Sequence, residues 1–254
     1  MNRILLSSDE IDDSGRVVLN ERRAAHIRNV LKSRPGDTLR IGVVNGPPGV
    51  GVVKETGVGR IELECRFDDV VPRPPPIDLL LAVPRPKVLR RLWRLLACMG
   101  VRRIILTNAA RVERVYFDSH WLHEDHREKL MLEGLETAGD TCLPEVSVHR
   151  RFRPLIEDEL GGLLKSDTLR CVAEVGQHPQ LAETLRESAC EHVCIAIGPE
   201  GGWVPFELDL LQANGFVTVS LGSRVLSSDL ACISALAQWS GVHAGVGRGS
   251  AVAT

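Results

Sequence analysis

Three glycine-bearing segments stand out by residue type and spacing. Gly176-Gln-His-Pro179 follows the apolar run Cys171–Val175, Gly198-Pro-Glu-Gly-Gly202 follows Val193–Ile197, and Gly222-Ser-Arg-Val-Leu226 follows Val217–Leu221. Each run has the length and β-branched content of a buried strand. Two of the loops lead into helices with clear opening signals. Pro205 opens one, with Glu207 and Asp209 in its first turn, and Ser228 or Asp229 caps the other. In open α/β sheets ligands bind outside the carboxyl ends of the strands, so three such loops can converge on one pocket. A single glycine after a strand usually serves only a tight turn; three in succession shift the balance towards a ligand. The GxGxxG spacing of dinucleotide sites is absent, and Glu200 would repel a pyrophosphate. An acidic, glycine-lined loop suits a ligand with positive charge and a purine held by backbone groups. A sulfonium cofactor has those properties.

A second constellation is basic. Between residues 85 and 114 the chain carries nine basic residues (Arg85, Lys87, Arg90, Arg91, Arg94, Arg102, Arg103, Arg111, Arg114) against one acid, Glu113. Lys87, Arg90, Arg91 and Arg94 share one face of a helix over Lys87–Met99, while Leu92, Leu95, Leu96 and Met99 form its core stripe. Solvated helices normally mix signs to gain i,i+4 pairs, and this face does not. It therefore reads as a phosphate-contacting surface, which Arg22, Arg23 and Arg28 could extend, with affinity falling steeply in salt. The whole chain is nearly neutral: 31 Lys and Arg against 33 Asp and Glu in 254 residues, a net charge of −2. Neutrality excludes a uniformly basic nucleic-acid binder but leaves a local patch. Aromatics at 4% argue against an extended platform of stacking rings.

The elements that position these residues differ along the chain. Before residue 72 there are short β-rich runs (Arg16–Leu19, Thr38–Val44, Gly51–Lys54, Arg60–Phe67) with turns at Arg34-Pro-Gly-Asp37 and Asn45-Gly-Pro-Pro-Gly49, and one helix over Glu21–Lys32. That pattern predicts a small barrel over 1–71. Pro72-Arg-Pro-Pro-Pro-Ile77 is a stiff linker. Strand–helix alternation follows over 78–242, with further strands at Ile77–Val83 and Ile104–Thr107. Its helices fall at Lys87–Met99, Trp121–Thr137, Gln180–Cys190, Pro205–Ala213 and Asp229–Ser240. Continuous apolar strands between helices predict an α/β fold with a largely parallel sheet, and 243–254 reads as a loose tail. Met1–Glu10 has no signal-peptide core, and the apolar run Ile77–Val83 is too short to span a bilayer and contains Asp78, so no membrane partner is expected. Seven cysteines without CxxC spacing predict reduced thiols in a cytoplasmic protein. Cys190-Glu-His-Val-Cys194 could offer three metal ligands, but Cys194 lies in a buried-strand pattern, so no metal is expected.

Ile197-Gly-Pro-Glu-Gly-Gly202, followed by Leu221-Gly-Ser-Arg-Val-Leu226, resembles the signature of the SPOUT methyltransferases, in particular the RsmE (ribosomal RNA small subunit methyltransferase E) family. His26-Ile-Arg-Asn-Val-Leu31 with Pro35-Gly-Asp37, Cys98-Met-Gly-Val101, and Glu136 with Leu143-Pro-Glu145 are similar to weaker family motifs. The resemblance implies a PUA-like β-barrel followed by a SPOUT-type parallel sheet whose chain forms a C-terminal trefoil knot. General topology rules, which make knots rare, would instead suggest an ordinary doubly wound domain. It also implies a homodimer that uses S-adenosyl-L-methionine to methylate N3 of a uridine in 16S (small-subunit) rRNA. The implied cofactor residues are Glu174, Val175, Gly198, Pro199, Glu200, Gly201, Gly202, Leu221, Gly222, Val225, Leu226 and Ala231. Methylating uridine N3 means removing its proton and stabilising charge on the flanking carbonyls, work suited to an arginine fork. Arg224 and Arg111 are the candidates, with Glu136 as base or orienting acid. The chain departs from the family's LRxETA at Leu226-Ser-Ser-Asp-Leu-Ala231: Ser227 replaces an arginine and Asp229 a glutamate. An RNA-binding relative with lost turnover, or an α/β enzyme of another nucleotide, are the alternatives.

Overall fold

The computed structural model describes residues 2–57 and 59–243. The N-terminal part is a five-stranded sheet in the order β1-β3-β4-β5-β2, built from β1 (Ile4–Leu6), β2 (Arg16–Asn20), β3 (Thr38–Val43), β4 (Pro48–Gly57) and β5 (Arg60–Phe67). Period-two burial is plain in β2, where Val17 and Leu19 face inward between exposed Arg16, Val18 and Asn20. Helix α1 (Glu21–His26) runs on as a π-helical turn through Leu31 and stops where Lys32 turns left-handed at φ 55°. Ala24 and Ile27 join Ile4, Leu6, Ile41, Ile61 and Leu63 in the local core.

The C-terminal part is a six-stranded, wholly parallel sheet in the order β11-β9-β10-β6-β7-β8. Its strands are β6 (Ile77–Ala82), β7 (Arg103–Thr107), β8 (Glu145–His149), β9 (Leu169–Ala173), β10 (Val193–Ile197) and β11 (Phe216–Val219). Between them run α2 (Pro86–Met99), α3 (Glu124–Ala138), the short turns α4 (Phe152–Pro154) and α5 (Leu160–Leu163), then α6 (Leu181–Glu187), α7 (Pro205–Ala213) and α8 (Ser228–His243). Every residue of β6 and β10 is buried, as expected for central strands covered on both faces. Parallel register puts all carboxyl ends on one side.

Several expectations shift. The sequence reading names no strand at β1 or β8 and no helical turns over 152–163. β9 and β11 end earlier than expected, so Glu174, Val175 and Leu221 lie in loops. The loose tail falls largely outside the described residues, and His243 is the last residue of α8. Asp78, the charge inside an apolar strand, is buried and held by Arg102, with Nε donating to Oδ1 at 2.8 Å. α2 and α3 meet at Gly134, where an added Cβ would run into the Arg94 carbonyl oxygen.

The two parts share a bonded seam. The Asn2 and Arg3 amides donate to the Glu136 carbonyl at 2.7 and 3.2 Å, and Arg3 Nε donates to the Gly139 carbonyl at 2.9 Å. Thr141 Oγ1 donates to the Gly46 carbonyl at 2.8 Å, and Leu5 belongs to the C-terminal core.

Candidate active site

The loops after β9, β10 and β11 lie side by side because those strands are neighbours and parallel. The loop after β10, residues 198–202, is fastened from three directions. Glu200 Oε1 accepts the Arg85 amide at 3.3 Å, which sets an acid at the N-terminus of α2, where the helix dipole favours it. Ser228 Oγ, at the start of α8, reaches the Gly198 carbonyl at 3.5 Å. Arg111 donates through Nη1 to the Gly201 carbonyl. Space favours glycine here: a Cβ on Gly201 would lie 2.8 Å from Arg111 Cδ and push that side chain aside, and one on Gly198 would lie 3.1–3.2 Å from the Trp203 ring. Gly201→Ala should therefore displace Arg111 and weaken cofactor binding by about tenfold, roughly one displaced polar contact. Calorimetry reads the loss, and the double variant Gly201→Ala/Arg111→Ala should bind no more weakly than Gly201→Ala, because the displaced Arg111 no longer contributes.

The loop after β11 and the start of α8 enclose an open pocket of about 430 Å³, lined by Leu221, Gly222, Ser223, Arg224, Leu226, Leu230, Ile233 and Ser234. That volume lies in the range of small-molecule sites. Gly222 sits at φ 131°, a conformation glycine alone adopts readily, and brings backbone to the pocket wall. Leu221, Leu226, Leu230 and Ile233 supply an apolar wall for a flat ring or a thioether stem. Trp203 Nε1, buried beside Gly198, has no hydrogen-bond partner among the described residues. Among the described residues no side-chain hydrogen bond or ion pair holds Arg224, so its guanidinium stands exposed at the pocket with every donor available. These features fit an adenosyl cofactor with a cationic sulfur.

Of the expected cofactor residues, Leu221, Gly222 and Leu226 line this pocket; Val225, highly exposed, belongs to the same loop, and Ala231 sits in the first turn of α8, its amide bonded to the Ser227 carbonyl. Gly198 to Gly202 form the adjoining loop. Glu174 and Val175 lie in the loop after β9, where the Glu174 amide is tied to the Val219 carbonyl at 3.0 Å, and neither lines the pocket.

Glu136 is elsewhere. It closes α3 at the seam, where its carboxylate meets Arg22 Nη2 at 3.4 Å. Burial pushes its carboxyl above the ordinary range, with Arg22 pulling the other way. Its partners bind the two parts of the chain together, and no cofactor-loop residue is among them. The basic track also needs correction. Arg23 is committed to Glu10 and the Leu5 carbonyl. Arg102 and Arg103 lie by the amino ends of the strands, paired with Asp78 and Glu145, on the side of the sheet away from the loops. Arg28 stays half-buried, its Nε unpartnered. Arg85, Lys87, Arg90, Arg91 and Arg94 are exposed as expected.

Glu207, expected as a first-turn acid, and Asp229, expected as a helix cap, carry more than that. Glu207, buried in α7, accepts the Ala110 amide at 2.6 Å and the Val204 amide at 3.0 Å, which fixes the loop bearing Arg111. Asp229 receives Ser227 Oγ at 2.5 Å and pairs with Arg91. Its burial opposes ionisation, but those hydrogen bonds outweigh it and hold the carboxyl below the usual range. The Ser227 and Asp229 departures thus close into a local network.

The profile of the RNA methyltransferase domain family matches residues 72–240. A ribosomal RNA small subunit methyltransferase E from Treponema pallidum is 29% identical over 248 residues, covering 93% of this chain and 90% of that protein. One from Synechocystis is 26% identical over 241 residues, covering 93% of this chain and 76% of that protein. The crystal structure of a ribosomal RNA small subunit methyltransferase E from Neisseria gonorrhoeae bound to S-adenosyl methionine superposes with a TM-score of 0.74 at 20% identity, covering 95% of this chain and 98% of the other. With its parallel sheet, glycine loops and carboxyl-end pocket, the chain belongs to the RNA methyltransferase domain family, within its RsmE branch.

Proposed function

We propose that the chain transfers a methyl group from S-adenosyl-L-methionine to N3 of a uridine in small-subunit rRNA. The observation that carries this reading is the pocket at the carboxyl end of the parallel sheet, lined by residues of the 221–226 loop and the start of α8, with the 198–202 loop bonded alongside through Ser228 and with Arg224 unpaired among the described residues. S-adenosyl-L-methionine supplies an electrophilic methyl on a sulfonium. The chain's residues do the rest. Leu221, Leu226, Leu230 and Ile233 exclude water from one side of the pocket, and the glycine loops let backbone groups approach the cofactor. Arg224 presents its N–H donors to a uridine carbonyl oxygen, stabilising the charge that appears as N3 gives its proton to water; N3 then takes the methyl, leaving S-adenosyl-L-homocysteine. Arg111 holds the Gly201 carbonyl and keeps the loop in register. Proximity of the two reacting atoms contributes the largest remaining share of rate.

The finer expectations belong to the same proposal. Residues 1–71 would form a PUA-like barrel for RNA, 72–77 a linker and 78–242 the SPOUT domain with its knotted C-terminal segment. The protein would act as a cytoplasmic homodimer on rRNA or on the assembled small subunit. Among the described residues no helix is long and apolar enough to cross a membrane. Calorimetric titration with S-adenosyl-L-methionine tests the reading, with stoichiometric binding expected and no binding refuting it. No observation favours a relative without turnover: Ser227 donates to Asp229 and Asp229 pairs with Arg91.

A further inference from the structure

Beside the basic face of α2 lies a group of rings. The turn at 120–122 and the start of α3 bring together His120, Trp121, His123 and His126. Ring centroids are 4.2 Å apart for His120–Trp121, 5.3 Å for His120–His126, 5.8 Å for Trp121–His126 and 6.2 Å for His123–His126. The three imidazoles are exposed and Trp121 is half-buried. From α2, Arg90 lies over Trp121 with Cζ 4.9 Å from the ring centre. Trp93 Nε1 donates to the Trp121 carbonyl at 2.8 Å and fixes the turn against α2.

Packing does not explain three exposed imidazoles in one place, since none belongs to the core. Metal binding does not explain them either: among the described residues no group of His, Cys, Asp or Glu has the geometry to hold an ion. The acids of the first turn of α3 are Glu124, paired with Arg127 at 3.5 Å, and Asp125. Across the boundary stand Lys87, Arg90 and Arg94, for which no ion pair is formed among the described residues. A guanidinium already stacked on a ring loses little freedom when a phosphate arrives. Rings next to unpaired cations offer both contacts that single-stranded RNA uses, π-faces for bases and charge for phosphates.

Position adds the second argument. α2 packs against both α3 and α8. On one side of its exposed strip Arg91 meets Asp229, in the same turn of α8 as the pocket residue Leu230; on the other side Arg90 meets the rings. A strand leaving the pocket reaches the rings by crossing α2, a path of two helix spacings of about 8–10 Å each. We propose that the His120–Trp121–His126 cluster, with Arg90 and Arg94, is a docking surface for a single-stranded segment of the RNA substrate flanking the target base. The segment's bases stack on the exposed imidazoles and its phosphates lie on α2. This rests on the RNA-methyltransferase reading above.

Fluorescence anisotropy with a labelled single-stranded oligouridine, across a salt series, tests the surface without needing turnover. His120→Ala/His126→Ala should weaken binding about tenfold while the slope of log affinity against log salt stays unchanged, because stacking releases no counterions. Arg90→Ala/Arg94→Ala should weaken binding and flatten the slope by about 1.4, two phosphate contacts on a single strand. His120→Phe/His126→Phe keeps the rings and should retain affinity. Unchanged binding in the alanine pair, or a loss that comes with a flatter slope, overturns the proposal. If the unmodified protein binds the oligonucleotide but transfers no methyl to rRNA, the function reading fails while the docking result still stands or falls on its own.

Discussion

Arg224→Ala is expected to lower kcat for rRNA methylation by about 100- to 1000-fold, the usual cost of removing one preorganised donor from a developing oxyanion. Arg224 is exposed, lies on the pocket lining and makes no side-chain hydrogen bond or ion pair among the described residues, so thermal stability should not change. Affinity for S-adenosyl-L-methionine should stay within about threefold, since the glycine loops and apolar wall remain. Arg224→Lys keeps the charge but loses the planar fork, and should recover only part of the rate. The discriminating readout is the split between kcat and cofactor affinity in single-turnover assays. An unchanged kcat in the alanine variant would remove Arg224 from the chemistry.

Asp78→Ala should cost about 3–5 kcal/mol of stability, the cost of leaving a buried charge unpaired. Asp78 is only 1% exposed in β6, and its carboxylate is the partner that satisfies Arg102. Arg102 is correspondingly raised above the ordinary arginine range, chiefly by its hydrogen bond to Asp78. At about 2–4 °C per kcal/mol for a chain of this size, the melting temperature should fall by roughly 6–20 °C. An apolar pair, Asp78→Leu with Arg102→Met, should recover much of that loss, since both charges then leave the interior together. A single-variant loss below about 1 kcal/mol would show that solvent reaches the pair.

Stability and chemistry therefore lie at opposite ends of one parallel sheet, and the sequence reveals the two ends unequally. Strands β6 and β10 are legible because both faces are buried and their residues are apolar, Asp78 of β6 excepted. The 198–202 loop is legible because glycine, proline and acid cluster directly after such a run, and the 221–226 loop because Gly222 and Arg224 follow a β-branched one. β8 is not, since it is a half-exposed edge strand, Glu145-Val-Ser-Val-His149, whose alternation is short and polar. β1 has only three residues. The basic segment 85–114 reads as one positive stretch, yet β7 separates it: Arg102 and Arg103 pair with Asp78 and Glu145 at one end, while Arg85 to Arg94 face outward from α2. Charge counted along the chain cannot anticipate which acids folding will bring alongside. Glu136 shows the same limit, because its partner Arg22 is distant in sequence. The imidazole cluster escaped for a different reason: histidine is not counted among the aromatic residues, and His120, His123 and His126 have neither metal nor core spacing.

The central claim is a methyl group on uridine N3, and nucleoside analysis measures it most directly. Small ribosomal subunits from a strain lacking the corresponding activity are incubated with the protein and methyl-labelled S-adenosyl-L-methionine, and the rRNA is then digested to nucleosides. Label in 3-methyluridine, absent with Arg224→Ala, is the expected result. Label in any other nucleoside, or none in rRNA under conditions where the cofactor binds, would contradict it.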